Sequence, residues 1–217
     1  MHTHNSASAR RTLSLLGTKG EKTRRKLMSA AASLLKTTSP VSLTAAAISR
    51  EAGTSPPTFY VYFDDVNDIV YELARAANDD IEEIIEALRA WREGLGPEEG
   101  ARNFIGAFHS HWRKHRALLS IRNLEADRGE QRFLTMRQRT GMRIITNLAD
   151  LVIEDSSPPV TISRREAIAR TTFVYAAIER LAATQFLYPQ LDPGMPTRED
   201  YTEAAIVMLV SLITTGS

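Results

Sequence analysis

The chain has 217 residues, 43% hydrophobic and 24% charged, enough for one large domain or two small ones with a real core. It has no cysteine, which excludes disulfides and thiolate metal sites. With no leader-like apolar run and no membrane-length apolar stretch of about 18 residues, a soluble, cytoplasmic protein is expected.

The net charge of +1 conceals an asymmetry. Residues 1–63 hold nine Lys and Arg against Glu21 and Glu51, a net of +7, and the remainder nets −6. A basic end on an acidic body suits a polyanionic partner, and equally a solvated tail. Residues 1–17 are expected to form a flexible basic arm carrying Arg10 and Arg11. Leu27, Ala30, Ala31, Leu34 and Leu35 recur at helical spacing, which predicts an amphipathic helix over 19–36. Thr44 is placed to cap a short helix that buries Ile48 and Ala52 and stops at Gly53. Ser55 is placed to start another, running to Phe63 with Pro56 and Pro57 in its first turn. Asp65 and Asp68 predict the start of a long helix whose stripe is Ile69, Leu73, Ala76, Ile81, Ile84, Leu88 and Trp91, ending at 94–97. Helices follow over about 98–114, 117–126 and 130–154, then from Ser163 to about Leu187, and from Thr197 to about Thr214. The expected fold class is all-α.

The stretch from Leu43 to Phe63 is a short helix, a glycine turn and a second short helix, the layout of a helix-turn-helix. Here the chain resembles the TetR family of bacterial transcriptional regulators. The matching residues are Thr44, Ile48, Ala52-Gly53, Ser55, Pro57-Thr58-Phe59-Tyr60 and Tyr62-Phe63. The resemblance implies an N-terminal three-helix DNA-binding domain over 18–64 and a helical ligand-binding and dimerisation domain over 65–217. It also implies a homodimer on a palindromic operator, with half-sites about 34–36 Å apart or a multiple of that. One departure stands out. The family usually carries a lysine on a phosphate just after the phenylalanine, and this chain has Val66 there.

The second short helix carries no Arg, Lys, Asn or Gln, so the usual bidentate pairing to guanine or adenine is missing. Its expected exposed residues are Pro56, Pro57, Thr58, Val61 and parts of Tyr60 and Tyr62. Pro57 and Thr58 are read as contacts to thymine methyls. Thr44, Ser55, Tyr60 and Tyr62 are read as phosphate contacts that set the register. Lys22 and Arg25 are read as backbone contacts alongside Lys19 and Arg24, and Arg10 and Arg11 as a minor-groove arm or a solvated tail.

Further along, Phe104, Phe108, Trp112 and Phe173 are candidates for an apolar effector pocket or for plain core, with Asn123 and Glu179 as polar contacts. Ile168, Tyr175, Ile178, Ala182 and Phe186, with Ala204, Ala205, Met208, Leu209 and Leu212, form apolar faces on the last two helices. They suit either a four-helix dimer interface or closure of the subunit's own core. His111 and His115 have a spacing that zinc can use, but Arg113 and Lys114 lie between them and no metal site is expected. No catalytic constellation or cofactor motif stands out, so no enzyme is expected. The expected function is a ligand-responsive DNA-binding regulator, a repressor released by a mostly apolar small molecule. The alternative is a helical ligand-binding or scaffold protein whose helix-turn-helix no longer binds DNA.

Overall fold

The computed structural model describes residues 17–38, 42–154, 162–184 and 194–214. Arg10, Arg11, Pro158-Pro159, Phe186 and the stretch expected to prolong a helix to Leu187 lie outside them. Among the described residues the regular structure is helical, with no strand. The helices are α1 Gly17–Leu34, α2 Ala45–Glu51, α3 Pro56–Tyr62, α4 Val66–Asp79, α5 Glu82–Arg92, α6 Pro97–Asp127, α7 Gln131–Glu154, α8 Arg164–Thr184 and α9 Arg198–Thr214. The chain divides into two compact units, Met1–Ala77 and Asn78–Ser217, so most of α4 falls with the first.

In the first unit, Leu27 and Ala31 of α1, Ile48 of α2, Phe59 of α3 and Ile69 and Ala74 of α4 are fully buried. The ends are set as local chemistry dictates. The hydroxyl of Thr44 accepts from the Ala47 N–H at 3.1 Å and caps α2. Asp65 Oδ1 accepts from the Asp68 N–H at 2.7 Å, and Asp68 reaches back to the Asp64 N–H, a capping box that opens α4.

In the second unit, α6 is the central helix, packed by α5, α7, α8 and α9. Phe104, Ile105, Phe108, Trp112 and Leu119 run along it through a core shared with Ile84, Leu148, Ile178 and Leu209. The caps read from the sequence form here too. Ser163 accepts from the Glu166 N–H at 3.2 Å, and Thr197 and Asp200 cap each other's backbone at 3.2 and 2.7 Å.

One expectation is corrected. The long helix from Asp65 to Trp91 is two helices, broken around Asp80 and Ile81. Ile81 sits about one residue out of phase with the stripe before it. The break turns its side chain into the core, where it is 1% exposed, and Ala77 rather than Ala76 takes the preceding buried position. The expected helices over 98–114 and 117–126 are the two segments of α6, which meet at a kink at His115, whose backbone is non-helical at φ −115°, ψ 15°. At the bend, His115 Nε2 and Lys114 Nζ both bond Asp80 Oδ2, at 2.8 and 2.7 Å. Of the two readings of the last two helices, Ile178, Ala182, Ala205 and Leu209 follow closure of the subunit's own core, where they are at most 8% exposed. Both final helices carry a second apolar face pointing outward, with Phe173 at 82%, Val207 at 61% and Met208 at 51% exposure.

Candidate nucleic-acid interface and effector core

Between α2 and α3 the chain turns through Gly53 at φ +64°, a left-handed conformation that glycine adopts without a Cβ penalty. The Thr54 N–H donates to Ser49 O at 2.8 Å and the Gly53 N–H to Arg50 O at 3.1 Å, closing the last turn of α2. Phe59 and Phe63 anchor α3 from below, with ring centroids 5.6 Å apart, and Phe59 meets Tyr60 edge-on at 5.3 Å. Proline fits at the start of α3 because the first helical N–H groups have no intrahelical acceptor. The helix starts at Pro56 with Ser55 as its N-cap, so both prolines lie in the first turn as expected.

Most of the expected DNA contacts are exposed. Lys22, Arg25, Thr44, Ser55, Pro56 and Pro57 are exposed. Tyr60 is 60% exposed and takes no part in the core. Tyr62 and Thr58 are half-buried, and the Thr58 hydroxyl shares a hydrogen bond with Ser55 at 2.9 Å. Val61, named as exposed in the sequence but given no role there, is 53% exposed.

Arg24 takes a different place from its neighbours. Its guanidinium lies 5.1 Å from the Phe63 ring centroid and 3.3 Å from Glu72 of α4. Burial pushes the Glu72 carboxyl up, but Arg75 and Arg24 together hold it below the usual range. Arg24 therefore joins α1 to α4 as a structural cation. Where the family pattern has a lysine, Val66 opens α4 beside Asp64, Asp65 and Asp68. A carboxylate-rich first turn suits the helix dipole but repels a phosphate, so positive charge at this surface comes from α1 and from Arg50 of α2.

In the second unit, Phe104, Phe108 and Trp112 are 0%, 2% and 3% exposed on the inner face of α6. Phe108 meets the Tyr175 ring edge-on at 6.0 Å. Asn123 and Glu179 do come together, through a residue that sequence reasoning missed. Arg122, 3% exposed, donates to Asn123 Oδ1 from Nε and Nη2 at 3.1 and 2.9 Å, to Glu179 Oε1 from Nη2 at 3.0 Å, and to Asn78 Oδ1 from Nη1 at 3.0 Å. Asn123 Nδ2 also donates to Glu179 Oε1 at 3.0 Å, and Asn78 donates to the buried Thr140 hydroxyl. The guanidinium lies 6.0 Å from the Trp112 ring. Burial lowers the Arg122 pKa, and it pushes the Tyr175 phenol up to about 12, with the nearby Glu179 charge adding to the rise. The available signal was an arginine beside Asn123 on an otherwise apolar helix face.

Phe173 does not join this group; it lies on the outer face of α8. Two open grooves, of about 630 Å³ beside Arg102 and Val210 and about 590 Å³ beside Glu86 and Asn103, are lined by none of the expected effector residues. Among the described residues no group of three or more His, Asp or Glu gathers as a metal site. No helix among them is long and apolar enough to cross a membrane.

Two family models match the chain: bacterial regulatory proteins, tetR family, over residues 27–73, and tetracyclin repressor-like, C-terminal domain, over residues 81–186. No curated protein matches it by sequence. Among solved structures it is similar to the fatty acid degradation regulator FadR from Bacillus halodurans, with a TM-score of 0.58 at 13% identity, covering 88% of this chain and 94% of that one. FadR from Bacillus subtilis, solved in complex with stearoyl-CoA, gives a TM-score of 0.59 at 16% identity, covering 87% and 97%. FadR from Thermus thermophilus, a TetR-family repressor solved with lauroyl-CoA, gives 0.54 at 18%, covering 88% and 93%. At these identities the structural likeness shows a shared fold. With a helix-turn-helix model on the first unit and a repressor-like model on the second, the chain belongs to the TetR family of bacterial transcriptional regulators.

Proposed function

We propose that the protein is a ligand-responsive repressor that binds a palindromic operator as a homodimer and is released by a mostly apolar small molecule. The observation that carries the DNA part is the exposed outer surface of α3, held up by a buried Phe59, in a unit where Lys22 and Arg25 of α1 are also exposed. Thr44, Ser55, Tyr60 and Tyr62 bind phosphates and fix register, while Pro56, Pro57 and Thr58 approach base edges. The homodimer forms through the outward faces of the last two helices, where Phe173 and Ala177 of α8 and Val207 and Met208 of α9 leave apolar surface exposed. Phe173 thus serves the interface instead of the effector.

The effector packs against Phe104, Phe108 and Trp112, with Asn123 and Glu179 as polar contacts. The relatives solved with stearoyl-CoA and lauroyl-CoA support an acyl chain as the apolar part. Binding weakens DNA affinity only to the extent that the effector prefers the DNA-incompetent state.

Binding-site selection from a random duplex library tests this reading. The expected product is an inverted repeat bound by two subunits and released on addition of lauroyl-CoA. A single direct half-site would refute the palindrome, and a complex unmoved by lauroyl-CoA would refute the acyl effector.

A further inference from the structure

The outward face of α3 is chemically one-sided. Phe59 is fully buried, whereas Tyr60 and Val61 point away with 60% and 53% exposure, and the exposed Pro57 lies three and four residues before them. Pro57, Tyr60 and Val61 therefore share one helix face. The polar groups of the first turn are engaged with each other, the Ser55 and Thr58 hydroxyls being 2.9 Å apart. From Thr54 to Asp64 there is no Arg, Lys, Asn or Gln. The helix thus presents two rigid aliphatic groups and a phenol, and no bidentate donor or acceptor.

In the major groove, one base feature is apolar: the C5-methyl of thymine. The two aliphatic groups of this face discriminate bases through that methyl. We propose that α3 selects its operator by thymine methyls, with Pro57 and Val61 as the specificity-determining residues. The partner is duplex DNA whose half-sites carry thymines where these side chains dock. Tyr60 closes the edge of the apolar patch and directs its hydroxyl to the sugar-phosphate rail. This inference rests on the proposed entry of α3 into the major groove.

The test uses the full chain and an operator obtained by selection. Each thymine is replaced in turn by deoxyuridine, which deletes the methyl and keeps the O4 acceptor and the base pairing. Docked positions are expected to lose about fourfold in affinity per methyl. Val61→Ala is expected to bind the thymine and deoxyuridine duplexes alike at the position it touches. Lys22→Ala, in contrast, weakens both duplexes by the same factor. Circular dichroism checks that each variant retains the helical content of the wild type, and Val61→Thr, of matching shape, provides a second probe should Val61→Ala not fold. If a fully uracil-substituted operator binds as tightly as the thymine one, this inference falls and the DNA-binding reading stands. If no sequence is selected at any salt concentration, both fall.

Discussion

Glu179→Leu should destabilise the second unit far more than the loss of a surface glutamate normally does. In the native protein Arg122 is 3% exposed, and its counter-charge is Glu179 at 3.0 Å. Removing one partner of a buried pair costs about 3–5 kcal/mol, because the other charge stays desolvated. The Glu179 side chain keeps 19% of its exposure, and Arg122 retains the neutral acceptors of Asn78 and Asn123, so the low end applies, about 3 kcal/mol. For a chain of this length that is roughly 6–12 °C in Tm. Arg122→Met should cost less, about 2 kcal/mol, because the remaining carboxylate can reach water. The double variant replaces both charges with apolar groups and should lie within about 1–2 kcal/mol of wild type. The coupling in this cycle is then on the order of 3 kcal/mol. Both tryptophans, Trp91 and Trp112, are in the second unit, so their fluorescence reports its unfolding directly. If the two single effects simply add, to within about 0.5 kcal/mol, the charges do not depend on each other and the reasoning is wrong.

Three further outcomes follow from single sites. Gly100 lies where α6 starts and packs under the Trp91 indole, so close that an added Cβ would overlap the ring. Gly100→Ala should therefore lose about 1–3 kcal/mol in urea unfolding, outweighing the gain in helix propensity of about 1 kcal/mol. A stabilised variant would show that the indole moves freely. Thr44→Ala removes the acceptor for the Ala47 N–H and should cost about 1 kcal/mol, read in the thermal unfolding of the first unit; an unchanged transition would show that solvent caps α2 equally well. His111 is 7% exposed, and burial pushes its pKa down to about 4. Its folded pKa lies below the unfolded value of about 6.5, so the unfolded chain binds more protons between these limits. Stability should fall by roughly 3 kcal/mol as pH drops from about 6.5 to 4, and stay level above. Burial lowers the pKa of His109 as well and adds in the same direction. His111→Gln should flatten the profile in that window, leaving the share of His109; a profile parallel to wild type would contradict the assignment.

Much of the fold was legible because its signals are local. Thr44, the Asp65–Asp68 box, Ser163 and Thr197 each satisfy backbone donors within one turn, and each cap forms. The helix-turn-helix was legible for the same reason, since Gly53 and the Phe59–Phe63 anchor are fixed by a few neighbouring residues. What was not legible depends on partners distant in sequence. The break near Ile81 follows from the core of the second unit, and Arg122 joins residues 44 and 57 positions away. The two last helices are apolar on both faces, so periodicity alone could not say which face turns inward. Phe173 was a candidate for the pocket or the core as one of several aromatics, and its 82% exposure on α8 sets it apart from its buried neighbour Val174.

The most direct measurement is the equilibrium affinity of the full chain for its selected operator, titrated against salt. Each phosphate contact by a lysine or arginine contributes about 0.9 to the slope of log affinity against log salt concentration. The account predicts tight binding at low salt and a steep linear fall, with Lys22→Ala reducing the slope by about two in a dimer, one contact per subunit. No affinity for duplex DNA at low salt, or an affinity indifferent to salt and to Lys22, would contradict it.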